Sequence, residues 1–151
     1  MMKLRALTQF LVDRFLVQPE QFDSWAEQVS LLLHWKPTEQ GLHMGDMRYR
    51  AVINLERFGD NPARLMALVG SWLEVNDPQR DSQDLPPPVF EIDQMDADLA
   101  DVELQLEFTE GLHLSESDDG EIEAFGKHWA LIPFDLWVAE QGDVIDDRSQ
   151  A

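Results

Sequence analysis

The hydrophobic positions of this chain change period several times, and each change marks an element. Leu4, Leu7, Leu11 and Phe15 recur at spacings of three and four, which puts one apolar stripe on a helix over 4–16. Pro19 stops that helix by removing a backbone donor. From Gln28 to Trp35 the period falls to two. Val29, Leu31, Leu33 and Trp35 alternate with Ser30 and His34, which predicts a strand with one apolar face. Residues 36–45, with Pro37, Gly41 and Gly45, read as a loop. Arg48 to Phe58 alternates again. Tyr49, Ala51, Ile53 and Leu55 face one way and Arg48, Arg50, Asn54 and Glu56 the other, as in a half-buried strand.

The stretch LERFGDNPARLMALVGSWLEVNDP then passes from strand to helix within a few residues. Gly59 ends the strand, and Asp60 or Asn61 can cap a helix by accepting from an unpaired backbone N–H. Pro62 sits at the first helical position, where its missing donor costs nothing. Leu65, Leu68, Val69, Trp72 and Leu73 form the buried stripe, and Asn76 with Asp77-Pro78 ends the helix. Gly70 is expected to let this helix approach a sheet closely. Residues 80–88, closing on three prolines, are expected to be an extended linker.

Two acidic strands follow. In the first, Phe90 and Ile92 are expected to point inward. In the second, Asp101 to Glu110, Val102, Leu104, Leu106 and Phe108 alternate with Asp101, Glu103, Gln105, Glu107 and Thr109. One face is core and the other a carboxylate ladder, which Arg48 and Arg50 on a neighbouring strand would relieve. Asp119-Gly120 predicts a hairpin turn between 112–115 and 121–125. KHWALIPFDLWVAE then packs Trp129, Leu131, Ile132, Phe134, Leu136 and Trp137 around Pro133. A monomer has no obvious need of such a segment; it reads equally as cover for its own sheet or as an arm that docks on another protein. The expected organisation is one α+β domain over 1–126, an aromatic arm over 127–142 and a disordered acidic tail over 143–151. The expected fold class is α+β, a mixed, mainly antiparallel sheet flanked by two helices.

Charge changes this picture by its placement. Residues 1–75 carry 8 basic and 9 acidic side chains, a balance of −1; residues 76–151 carry 3 and 21, a balance of −18, and together these make the net −19. Binding to nucleic-acid phosphates needs clustered Lys and Arg and is therefore disfavoured. Such a surface is soluble and self-repelling, or it meets a basic partner. No apolar run reaches the ~18 residues that span a bilayer. The N-terminal segment carries Asp13 and lacks a small-residue cleavage site, so neither a signal peptide nor membrane association is expected, and the protein is read as cytoplasmic.

Candidate chemistry fails on residue type or spacing. The chain has no cysteine, which excludes disulfides, thiolate metal sites and thiol nucleophiles. In SESDDGEIEAFG, aligning Gly120 with the invariant glycine of a calcium loop puts Ser115 and Gly126 where ligands belong. His34, His43, His113 and His128 form no i, i+4 pair. Ser24, Ser30 and Ser71 lack a nucleophile elbow, and no phosphate-cradling glycine loop occurs. Catalytic residues, metal and cofactor are all expected to be none, and the protein is expected not to be an enzyme.

Two segments, MRYRAVINLERFGDNPARLMALVGSWLEVNDP and PVFEIDQMDADLADVELQLEFTE, resemble the tail completion protein R (GpR) family of P-two-like contractile-tailed temperate phages and prophages. The marks are W-L-x-x-N-x-P, here Trp72 to Pro78, and D-x-E-L-Q-L-x-x-T-E, here Asp101 to Glu110. The resemblance covers about 4–140. It implies a tail-terminator-like sheet flanked by helices. It also implies a virion assembly factor at the head-proximal end of the tail, which caps the tail tube so that a filled head can join. Related terminators form rings, often hexameric, so the implied partners are further copies of the chain, the tail tube and sheath, and head-completion proteins. The implied location is the host cytoplasm and then the virion tail. Subunit contacts are expected at Arg48, Arg50, Asp101, Glu103 and Glu107, and arm docking at Trp129, Phe134 and Trp137. The competing reading is an acidic decoy that binds a basic, nucleic-acid-binding protein.

Overall fold

The structure is a computed structural model in which residues 1–133 are described. Among them it is α+β, with helices α1 (Met2–Val12) and α2 (Pro62–Asn76). The strands are β1 (Phe22–Pro37), β2 (Leu42–Phe58), β3 (Val89–Gln94), β4 (Ala100–Glu116), β5 (Ile122–Ala124) and β6 (Lys127–Leu131). They form one curled antiparallel sheet in the order β1-β2-β4-β6-β5. β3 pairs with the start of β4, and β6 with its end. The chain divides into two compact units, 1–30 with 48–109, and 31–47 with the chain from Glu110 onward.

In the first unit the helices bury the stripes their periodicity defines. Leu4, Leu7 and Leu11 of α1 and Leu65, Val69, Trp72 and Leu73 of α2 are buried. They cover the sheet face that carries Tyr49 and Phe108. The Leu4 N–H donates to the Tyr49 hydroxyl at 3.2 Å, and Trp72 meets Phe108 edge-on at 6.0 Å. Tyr49 and Phe108 lie 5.9 Å apart, so one aromatic pair joins both helices to the sheet. The α2 start forms as its sequence dictates: the Asn61 side chain accepts from the Ala63 N–H at 2.9 Å, and Pro62 follows.

Three expectations in this unit are corrected. α1 ends at Val12, and Phe15 leaves the apolar stripe in a left-handed conformation with its ring exposed. A Cβ at Gly70 would meet nothing within 4 Å, so this glycine serves no close approach. Ile92 is exposed rather than inward, because β3 pairs along one edge of β4 with no layer over it. The linker also holds a short 3-10 helix, Arg80–Gln83, before its prolines.

The second unit has no helix among its described residues. β1 runs into β2 through the two-residue loop Glu39–Gln40, since Thr38 and Gly41 exchange both backbone hydrogen bonds, at 2.9 and 3.2 Å. The loop expected over 36–45 is therefore mostly strand. Gly45 misleads as a turn residue; it is glycine because a Cβ there would lie 2.2 Å from the Leu32 carbonyl oxygen on β1. The hairpin signal at Asp119-Gly120 is also corrected. Gly120 closes a turn on Ser117, but β5 pairs with β6 instead of β4. The tight hairpin turn is Phe125-Gly126, where both residues have positive φ, as a primed turn requires. Leu42, Leu114 and Trp129 form a small core, packed by Trp35, Met44 and Ile122.

Candidate functional site

The carboxylate ladder is more concentrated than β4 alone suggested. In the β3–β4 register Glu91 lies opposite Glu103 and Asp93 opposite Asp101. Directly opposed residues share a face, so four carboxylates crowd one patch, an arrangement that destabilises an isolated sheet. Some of that repulsion is relieved locally. Asp101 accepts the Arg57 backbone N–H at 3.0 Å, and Glu103 accepts the Gln105 amide. Arg48 reaches Glu107 from β2, with Nε and one terminal nitrogen each 2.7 Å from Oε1. The expected cross-strand relief therefore exists, and it is made within one chain. Arg50 lies half-buried on the same strand. Nothing in the fold neutralises the Glu91/Glu103 and Asp93/Asp101 pairs with a cation among the described ion pairs. The patch is suited to protein contact or to repelling phosphate.

A second charged group was not legible in the sequence. Asp77, read there only as a helix stop, is 2% exposed and holds Lys3 and Arg80 at 2.7 Å each. Both cations go on to β4: Lys3 donates to the Thr109 carbonyl at 2.7 Å and Arg80 to that of Glu107 at 3.2 Å. This network locks the ends of both helices to β4. Its members lie far apart in sequence, so no spacing could reveal it. Asp60 at the start of α2 has its carboxyl held below the ordinary range, first by the Asn61 backbone N–H and then by Arg64.

The second unit gathers histidines that form no motif along the chain. His34 and His43 place their Nε2 atoms 2.9 and 2.8 Å from the two oxygens of Asp46. His43 in turn stacks on His113, with centroids 4.6 Å apart. Burial, and then the adjacent His43, hold the His113 imidazole below its usual value, against the pull of Asp46. Among the described residues no group of three or more His, Asp or Glu side chains is arranged to hold a metal ion.

The aromatic residues divide. Trp129, expected in a docking arm, is 6% exposed and lies in β6, where its indole donates to the Ala124 carbonyl at 2.9 Å. Its ring packs within its own chain because β6 pairs with the end of β4, which sets Trp129 against Leu42 and Leu114. Phe134 and Trp137, with the rest of the arm and the acidic tail, lie outside the described residues. The apolar surface that does lie open is β1: Val29, Leu31, Leu32 and Leu33 are each half exposed or more. No helix among the described residues is long and apolar enough to cross a membrane.

Comparison with known proteins adds the following. A family model described as P2 phage tail completion protein R (GpR) matches residues 1–133. An uncharacterised 19.2 kDa protein from the rep–hol intergenic region of Haemophilus phage HP1 (strain HP1c1) is 31% identical over 152 residues, covering 95% of this chain and 90% of that protein. No solved structure matches.

Proposed function

The chain belongs to the P2 phage tail completion protein R family, and on that premise we propose that it closes the head-proximal end of the tail tube and enables head–tail joining. The observation that carries this reading is the family match across 1–133. A tail completion protein is a structural protein that works against other tail components. The finer steps, capping and joining, follow from the position such a protein must take.

Copies of the chain form a ring around the DNA path. A strand feeding directly into a capped helix gives a rigid unit, and head-to-tail contacts between rigid units close into rings. The acidic face of Asp101, Glu103, Glu91 and Asp93 lines that path. It repels the phosphate backbone, so DNA slides through without being gripped. Arg48, Arg50 and Glu107 sit at the border of this face and contribute to subunit contacts, and Phe134 and Trp137 dock on the head-side or tail-side neighbour.

Electron microscopy of particles assembled without this protein tests the reading. Filled heads and unjoined tails are expected; particles with normal head–tail joints would overturn it. A triple variant, Glu91→Gln with Asp101→Asn and Glu103→Gln, tests the acidic path separately. It is expected to assemble but to lower the yield of infectious particles, and an unchanged yield would remove the acidic face from the account.

A further inference from the structure

β1 presents a surface that the described residues leave uncovered. It is an edge strand: β2 pairs with one side of it, and no described strand pairs with the other. Val29, Leu31 and Leu33 share one face and are each about half exposed, and Leu32 on the opposite face is exposed too. An apolar edge of this kind is a template for strand pairing. Two residues with positive φ, Gln28 and Trp35, interrupt the strand on either side of this segment. They confine regular pairing to 29–34, which limits growth beyond a pair.

We propose that two copies of this chain associate through β1, pairing antiparallel, edge to edge, with Leu31 on the two-fold axis. Charge selects both the partner and the direction. β1 belongs to the half of the chain with a balance near zero, whereas the edge strand β3 carries Glu91 and Asp93 and repels its own copy, and the edge strand β5 is only three residues long. Within β1 the acid Glu27 lies just before the apolar segment and Lys36 just beyond it. With Leu31 on the axis, antiparallel pairing brings Glu27 of one strand beside Lys36 of the other, whereas parallel pairing sets Glu27 against Glu27 and Lys36 against Lys36. Centring on Leu31 puts Val29 against the partner's Leu33 and keeps both apolar rows on one side of the joined sheet. The pairing is two-fold and closed, so it is distinct from the head-to-tail contacts of a ring. It is the state of the chain away from the tail, with the apolar row hidden until assembly.

The absence of cysteine makes a direct test available. Leu31→Cys gives the full chain one thiol, and on the axis two such thiols fall within disulfide reach. Under mild oxidation this variant is expected to cross-link to a dimer, while Val75→Cys, exposed on α2, is not. Sedimentation of the unmodified chain should show a dimer. Leu31→Lys should raise its dissociation constant by about a hundredfold or more, because two ammonium groups then meet on the axis. Lys36→Glu should weaken the dimer and Glu27→Lys in the same chain should restore it, which parallel pairing would not do. Far-ultraviolet circular dichroism checks that each variant is folded. A chain that stays monomeric at all concentrations, equal cross-linking of both thiol variants, or a dimer indifferent to Leu31→Lys would overturn the pairing. None of these results bears on head–tail joining, which the microscopy reads separately.

Discussion

β1 and β4 are long strands with the same alternating pattern and opposite fates. Val102, Leu104, Leu106 and Phe108 of β4 are at most 2% exposed, whereas Val29, Leu31 and Leu33 of β1 are 50% exposed or more. Alternation decides which side chains share a face. It does not decide whether anything covers that face. β4 lies between β2 and its partners β3 and β6, with α2 over Phe108; β1 lies at the edge of the sheet. The difference separates apolar surface that holds the fold together from apolar surface that the described residues leave open.

Truncating the covered row should break the fold most. Phe108→Ala removes the ring that Tyr49 and Trp72 both contact and is expected to cost about 3–5 kcal/mol in chemical denaturation. Asp77→Ala should follow closely. It strands Lys3 and Arg80 beside the β4 carbonyls and is expected to cost about 3 kcal/mol, given how deeply the carboxylate is buried. A loss under about 1 kcal/mol would show that the network does not anchor β4.

His113, further along β4, gives that strand a pH dependence. Its folded-state value is held below that of the unfolded chain. The unfolded chain therefore takes up the proton first as pH falls. Its contribution to stability is complete above the ordinary histidine range and declines as pH drops through that range toward the lowered folded value. His113→Gln should flatten this part of a stability–pH profile measured by thermal denaturation, and a profile unchanged by the substitution would remove His113 as its source.

The smallest effects belong to exposed groups. Arg48→Ala should cost at most about 1 kcal/mol, since the pair with Glu107 is screened by solvent. Leu31→Ser, measured at dilution where the chain is monomeric, should change stability by no more than about 0.5 kcal/mol. A larger loss would mean that β1 is covered within its own chain, and the contrast with β4 would collapse.

Much of the first unit could be read directly from the chain. The α2 cap at Asn61, the buried stripe Leu65–Leu73 and the two faces of β2 and β4 depend on residues near in sequence, and local chemistry settles them. Glycines were read less well, because the same residue serves different ends. Gly45 makes room for a carbonyl of the neighbouring strand, Gly70 faces open space, and Gly126 rather than Gly120 turns the hairpin. Of the interaction residues, the Arg48–Glu107 pair was legible because two alternating strands of opposite charge invite it. Trp129 was not, because its fate depended on whether β6 joined the sheet.

By itself, then, the sequence determined the two helices, the apolar faces of β2 and β4, the concentration of negative charge in the second half and the family likeness. The first three follow from periodicity, capping and composition, which act over a few residues at a time. Only the tertiary structure decided which apolar faces are covered, that Asp77 gathers Lys3 and Arg80, that His34 and His43 share Asp46 while His113 stacks on His43, and that carboxylates face carboxylates across β3 and β4. Those outcomes depend on strand order and register, which bring distant residues together through backbone pairing that no local spacing encodes.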